Sequence, residues 1–254
     1  MDVIVVTQDD PFYMPLFFRH FFNEVSEKIK LRNVVCLKPF DESFSALIGR
    51  MYGLYGPVNV VRRGVSYVTR KASDALGLGS NSVVTAAQRR GVSVEMLDTV
   101  NDSSFIERIE ERHIDVILSV SAPEIFAPSL LNAPTWGCLN VHTAKLPKYR
   151  GMLPTFWALY HGDEEIGVTI HTMEEEVDHG QIAKQSTFPV SPSDTLDDVI
   201  KQGKREGGRL AAQALNTLAE GEIQLRPMEG EESYFSFPSA EERRELQRQG
   251  RCLL

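Results

Sequence analysis

Apolar and polar positions divide this chain into two kinds of segment. Short, mostly apolar runs recur at Val3 to Val6, Asn33 to Leu37 and Asp115 to Val120. Runs of this kind predict strands buried on both faces of a parallel sheet. Val92 to Leu97 and Ile166 to Thr172 alternate residue by residue and predict strands with two different faces, the second leaving His171 half exposed. Gln181 to Val190 predicts one more. Segments with helical spacing lie between them. Met14 to Ile29 carries Leu16, Phe17, His20, Phe21 and Val25 on one side, with an acidic cap before Pro11. Asp102 to Arg112 follows a cap at Asn101 or Asp102, and Leu153 to Tyr160 is a shorter helix ending near His161. Ser193 to Glu220, opened by Ser193 or Asp194, reads as a long amphipathic helix that Gly207-Gly208 weakens midway. The β-α-β order predicts an α/β fold: a Rossmann-like mixed, mostly parallel sheet with helices on both faces, whose ligands sit beyond the carboxyl ends of the strands.

Residues 41–91 are harder to read. Phe44 to Tyr55 and Val58 to Leu78 are expected to be helices separated by Gly56-Pro57. The second carries Val61, Val65, Val68, Ala72, Ala75 and Leu76 together with Arg62, Arg63, Arg70 and Lys71. Such a helix can lie on a membrane surface or a partner, but the ordinary case is a surface helix with its apolar stripe buried, and that is the expectation. Ser82 to Arg90 predicts one more helix. Ile223 to Pro238 reads as a short hairpin, and Ala240 to Leu254 as a small helix or tail. Residues 1–220 are thus expected as the main domain, with the hairpin and tail at 221–254.

Charge and cysteine content narrow the class. The net charge of −8 argues against a large nucleic-acid footprint, which needs clustered Lys and Arg. Cys36, Cys138 and Cys252 are scattered and odd in number, with no C-x-x-C, so neither a disulfide framework nor a zinc site is expected. Asp9 and Asp10 interrupt the first apolar run, no basic segment precedes it, and no stretch reaches the ~18 apolar residues of a membrane span. A cytoplasmic enzyme with no transmembrane segment and no metal is the expectation; a homodimer is left open.

Candidate chemistry begins at Cys138 to Gly151, C-L-N-V-H-T-A-K-L-P-K-Y-R-G. In a strand, residues i and i+2 share a face, so Asn140 and His142 project side by side just short of a loop. An amide beside an imidazole supplies a fixed donor and a group that exchanges protons near neutral pH, the kit of acyl transfer. Turn and surface residues of the same types are the plainer alternative. At the first strand, the loop Thr7 to Tyr13 holds no glycine and is no phosphate cradle. Asp10 there can cap the chain or touch a substrate.

With the exit L-P-K-Y-R-G and the later segment G-V-T-I-H-T-M-E-E-E-V-D-H-G-Q-I, the chain resembles the folate-dependent formyltransferases, which use 10-formyltetrahydrofolate. The matching positions are Asn140, His142, Leu146-Pro147, Arg150-Gly151, Gly167 to Ile170 and Asp178-x-Gly180, within roughly residues 115–190. Thr143-Ala144-Lys145 and His179 depart from the family's usual residues. The resemblance implies that Asn140, His142 and Asp178 act on the formyl carbon, with Asn140 donating to the developing oxyanion and His142 and Asp178 moving the proton. It implies that Glu124, Ile125, Phe126, Glu176, Val177 and Asp178 line the pterin pocket through backbone groups and apolar cover, and that 41–91 is an insertion. Glu174, Glu175 and Glu176 would raise the Asp178 pKa if they crowd it.

The acceptor is narrowed by elimination. Methionyl-tRNA formyltransferases carry a further C-terminal barrel, for which few residues remain after Asp178; glycinamide ribonucleotide formyltransferases carry a glycine-bearing phosphate loop; formyltetrahydrofolate hydrolases carry an N-terminal regulatory domain. The expectation is a small-molecule acceptor, a nucleotide-linked amino sugar, with no DNA and tRNA disfavoured. Arg150 would pair with its pyrophosphate or hold its own loop, and the aromatics of Tyr234 to Phe237 would stack on it or simply pack. A methionyl-tRNA or small-amine formyltransferase is the alternative within the class, and a non-catalytic folate- or nucleotide-binding module the alternative outside it.

Overall fold

In chain order the elements are β1 (Asp2–Gln8), α1 (Met14–Glu24), β2 (Lys30–Leu37), α2 (Phe44–Ala75), α3 (Val83–Gln88), β3 (Val94–Leu97), α4 (Ser103–Glu111), β4 (Val116–Val120), α5 (Pro128–Asn132), β5 (Gly137–His142), β6 (Arg150–Gly151), α6 (Pro154–Tyr160), β7 (Glu165–Thr172), β8 (Ile182–Pro189), α7 (Leu196–Ala219), β9 (Tyr234–Phe235) and α8 (Ala240–Arg248). The computed structural model describes residues 1–38, 44–76, 78–79 and 82–254. Parts of the expected 41–91 insertion (41–43, 77, 80 and 81) and the side chains of residues 44–48 and 75 therefore lie outside the described residues.

Seven strands form one sheet in the order β3-β2-β1-β4-β5-β7-β8. The first five run parallel, and β7 and β8 each run antiparallel to their neighbour. This is the mixed, mostly parallel α/β sheet expected from the sequence. Strand alternation divides the core in two. Val3, Val5, Leu118 and Leu139 pack with Phe17, Phe21, Phe156 and Leu215 from α1, α6 and α7. Ile4, Val6, Ile117 and Cys138 pack with Phe105, Ile109 and Leu130 from α4 and α5. The strand order reverses between β1 and β4, which opens a crevice at their carboxyl ends.

Several expectations are corrected. Helix α1 stops at Glu24 rather than Ile29, because Val25 turns extended and the Ser26 N–H donates to Asn216 Oδ1 at 2.9 Å. Neither acid of the preceding loop caps it. Asp10 Oδ1 accepts from the Phe12 N–H at 2.7 Å, and Asp9 takes the Val83 N–H and the Lys71 ammonium. Helix α7 is opened by Thr195, in a reciprocal box with Asp198, not by Ser193 or Asp194. The C-terminal segment is no hairpin: Tyr234–Phe235 pairs in parallel with Arg150–Gly151, and Arg226 bridges to Ile182. Leu246 and Leu253 beyond it are buried in the first core.

Gly207-Gly208 does not loosen α7 but lets it close on α1. A Cβ on Gly208 would meet the Phe17 carbonyl oxygen at 2.4 Å and the Phe21 nitrogen at 3.0 Å. Alanine favours a helix over glycine by about 1 kcal/mol, yet backbone at that distance cannot yield as a side-chain tip would. Gly208→Ala is therefore expected to lower stability by about 1–3 kcal/mol. An unchanged or raised urea midpoint would refute the close crossing.

Helix α2 reverses the expected orientation. It kinks at Gly56 (φ 72°, ψ 170°), just before Pro57. Its second half then rests on the body by its basic face. Arg63 is 8% exposed, pairs with Asp197 and the Tyr13 hydroxyl, and lies 4.4 Å over the Phe12 ring. Val61, Val65 and Val68 face outward at 61–68% exposure. A guanidinium finds an anion, a phenol and two rings on the body, so the polar side of the helix docks.

Candidate active site

A cleft of about 600 Å³ opens at the carboxyl ends of β1, β4 and β5. Asn140 and His142 reach it from the end of β5, as their shared face predicts. Asp178 reaches it from the loop between β7 and β8. Its backbone is left-handed (φ 51°), a conformation costly for a residue with a Cβ, and contacts on both carboxylate oxygens hold it. Oδ2 accepts the Gly151 N–H at 2.8 Å; Oδ1 accepts from Asn140 Nδ2 at 3.3 Å and lies 3.3 Å from His142 Nδ1. Gly151 can approach because it lacks a side chain: a Cβ there would sit 2.2 Å from the Phe235 carbonyl oxygen.

Hydrogen bonds to backbone carbonyls assign both imidazoles. His142 Nε2 lies 2.8 Å from the Tyr149 oxygen, which can only accept, so Nε2 carries the proton and Nδ1 is turned to Asp178. His171 Nδ1 donates likewise to the Thr172 oxygen at 2.8 Å, leaving Nε2 to accept from Asn140 Nδ2 at 3.2 Å. His171 was expected half exposed but is 1% exposed, because β7 lies inside the sheet and Asn140 and the Asp178 loop close over the imidazole at the floor of the cleft. Burial first, and the nearby His142 second, push its pKa down to about 4. A neutral His171 orients the Asn140 amide with its N–H bonds toward the site. Sequence reasoning missed it; the signal lay in the antiparallel register, which sets His171 directly opposite Asn140.

Other expected site residues divide. Ile125 is 69% exposed and lines the cleft. The Glu124 carboxylate is turned away, taking Thr99 Oγ1, the Val100 N–H and Asn101 Nδ2, so only its backbone remains for a ligand. Phe126 also lines the cleft, but its side chain is 3% exposed and packs in the second core, so little of the ring faces a ligand. Arg150 does not line the cleft. Its guanidinium binds the Glu176 carboxylate and the Val177 carbonyl, with Glu232 at 3.5 Å, so of its two candidate roles the contacts are those of a loop holder. That also occupies the Val177 carbonyl expected at the pterin edge. The acidic run does not crowd Asp178 as expected: Glu174, Glu175 and Glu176 are exposed, with Glu174 on His179 and Glu176 on Arg150. Phe235 stacks on Trp157 with ring centroids 4.5 Å apart, while Tyr234 is exposed and lines the cleft.

The far end of the cleft lies over the β1–β4 crevice and holds Gln8, Asp10, Tyr13, Tyr55, Ser121 and Lys204. Asp10 is thus on the cleft wall. Lys204, unmarked in the sequence because it stands mid-helix on α7, donates to Ser121 Oγ at 2.5 Å. Burial lowers its pKa to about 8 against the pull of Asp10, and burial raises that of Asp10. Among the described residues no cluster of His, Cys, Asp and Glu is arranged to hold a metal, and no helix is long and apolar enough to cross a membrane.

The methionyl-tRNA formyltransferase of Agathobacter rectalis is 32% identical over 151 residues, 59% of this chain and 49% of that protein. The chain spans about half the length of the curated relatives it matches. Two solved structures share the fold. Phosphoribosylglycinamide formyltransferase from Anaplasma phagocytophilum aligns with a TM-score of 0.62 at 15% identity, covering 93% of this chain and 98% of its own. The N-formyltransferase from Helicobacter canadensis, solved in complex with folinic acid and dTDP-3-aminofucose, aligns with a TM-score of 0.57 at 16% identity, covering 92% and 70%. Residues 70–215, more than half of the chain, match the formyl transferase family, and the chain belongs to that family.

Proposed function

We propose that this protein transfers a formyl group from 10-formyltetrahydrofolate to the primary amine of a small acceptor, a nucleotide-linked amino sugar. The observation that carries the reading is the meeting of Asn140, His142 and Asp178, from β5 and from the β7–β8 loop, at the floor of one cleft. The donor end fits a flat heterocycle. Ile125 offers an exposed apolar side chain, and residues 122–126 and 173–177 line the cleft around it. Bound there, the donor supplies an electrophilic formyl carbon.

The chain's own residues do the rest. Asn140 Nδ2 donates to the formyl oxygen as negative charge develops there, exchanging its 3.3 Å bond to Asp178 for a shorter one. His171, accepting the other Nδ2 hydrogen, keeps the amide from flipping. His142 Nδ1 and Asp178 take the proton that the acceptor nitrogen sheds as it bonds to the formyl carbon. The same pair returns a proton to the donor nitrogen as the old C–N bond breaks, so the products are a formamide and tetrahydrofolate. Tyr149 holds Nε2 throughout, which confines exchange to Nδ1.

Two features favour a small acceptor. The end lined by Asp10, Tyr13, Tyr55, Ser121 and Lys204 offers hydroxyl-binding groups and aromatic walls at the usual ligand position of such sheets. The Helicobacter relative, crystallised with an amino sugar nucleotide, has the same fold. Methionyl-tRNA is the second reading, because the curated relatives act on it by name; the exposed Glu174 to Glu176 at the cleft edge oppose a polyanion. Steady-state assays with 10-formyltetrahydrofolate against amino sugar nucleotides, methionyl-tRNA and simple amines decide between them. Turnover of methionyl-tRNA alone would discard the sugar reading, and turnover of none would discard transferase activity.

A further inference from the structure

We infer that Ser233 is a positioning residue for the transfer, resting on the formyl-transfer reading for its effect on rate: it fixes the turn whose backbone holds His142. Ser233 stands just before β9, beyond residues 70–215 that match the family, and is not among the residues lining the cleft. The turn it meets is centred on Tyr149, whose carbonyl accepts from His142 Nε2 at 2.8 Å. Tyr149 lies in the left-handed region at φ 62°, a conformation that a residue with a Cβ holds only when its surroundings impose it. Two peptide planes meet at its Cα, and Ser233 binds both. The Ser233 Oγ accepts the Tyr149 N–H at 2.9 Å, and the Ser233 carbonyl accepts the Arg150 N–H at 2.9 Å. Its own N–H donates to the Pro147 carbonyl at 3.3 Å and closes the turn.

Peptide planarity carries this grip to the imidazole. The Tyr149 carbonyl and the Arg150 N–H are the two ends of one peptide group. His142 holds the oxygen end and Ser233 the nitrogen end, so the plane cannot turn without breaking both bonds. The next two N–H groups complete the pattern. Gly151 donates to Asp178 Oδ2 at 2.8 Å, and Met152 donates to the Phe235 carbonyl at 2.9 Å. Residues 149 to 152 thus give their N–H groups to Ser233, Ser233, the carboxylate and Phe235 in turn, and the C-terminal segment aligns both partners of the proton relay. A neutral imidazole can carry its proton on either nitrogen, and only the Nε2–H form leaves Nδ1 to take a proton from the acceptor amine. Without the Ser233 hydroxyl the Tyr149 N–H loses its acceptor, φ relaxes toward negative values, and the carbonyl swings off Nε2.

Ser233→Ala and Ser233→Thr would be compared with the wild type as full chains in two measurements. One is steady-state kinetics with 10-formyltetrahydrofolate and the acceptor found most active among the amines above. The other is the nitrogen NMR signal of the His142 ring in alkaline buffer, where the imidazole is neutral and the signal reports its tautomer. Ser233→Ala should lower kcat by about ten- to a hundredfold with both KM values within about twofold of the wild type. It should also add the Nδ1–H tautomer to a wild-type signal that is Nε2–H alone. Ser233→Thr keeps the hydroxyl and should recover most of kcat and the single tautomer. The inference is overturned if Ser233→Ala keeps a single Nε2–H signal, even where kcat falls in step with a lowered urea midpoint, for then Ser233 only stabilises the fold. It is overturned too if the threonine variant loses as much as the alanine one. Failure of the transfer reading looks different: a wild type that turns over no acceptor yet keeps its single tautomer.

Discussion

His142→Ala is expected to lower kcat for formyl transfer by about a thousandfold, within the range usual for loss of a positioned general base. Asp178→Asn should cost a similar factor, because the carboxylate lies 3.3 Å from the one imidazole nitrogen free to exchange a proton. Asn140→Ala should cost about a hundred- to a thousandfold through loss of the oxyanion donor. The three act as one unit, so the double variant of His142 and Asp178 should fall no more than about tenfold below either single one. Kinetics are to be read beside circular dichroism, since each variant should keep its fold. A His142→Ala protein with full activity would remove the mechanism.

The second large effect concerns acid stability. His171 has a folded pKa of about 4 against about 6.5 when unfolded. Between those values the unfolded chain binds a proton that the folded chain refuses. Stability from this group is therefore complete above pH 6.5 and is lost as pH falls toward 4. At 1.36 kcal/mol per pKa unit the loss approaches about 3 kcal/mol, a large share of a typical domain's stability. Urea unfolding at pH 7, 5.5 and 4 should display it in the wild type, and His171→Asn should show a slope shallower by that amount. Equal slopes in the two proteins would mean that the imidazole is not held neutral.

These two sites also mark how far the sequence could be read. His142 was visible beside Asn140 because a strand repeats every two residues, so N-x-H states a local geometry. Asp178 was visible only through resemblance, since nothing local ties it to a strand 36 positions earlier. His171 lies on a strand whose alternation predicts it half exposed: alternation reports two faces of a strand but not what covers each, and here Asn140 and the Asp178 loop cover this one. Its partner Asn140 follows from the antiparallel register of β5 and β7, which depends on the chain between them. Lys204 was missed for a similar reason, being one polar residue on a long amphipathic helix whose rotation over the sheet is fixed by Gly203, Gly207 and Gly208. Arg150 could hold its loop or a ligand as far as the sequence goes, and only the fold brings Glu176 and the Val177 carbonyl to its guanidinium.

Periodicity by itself determined most of the sheet strands and the helices between them, that the sheet is mostly parallel, and that an amide and an imidazole stand together at one strand end. Those are properties of neighbours along the chain, where spacing translates directly into direction. Tertiary packing alone decided which side of α2 meets the body, where the second imidazole goes, and how the carboxylate of Asp178 is held in a left-handed turn. An amphipathic pattern states that a helix has two unlike faces; only the competing partners Asp197, Tyr13 and Phe12 turned the charged one inward.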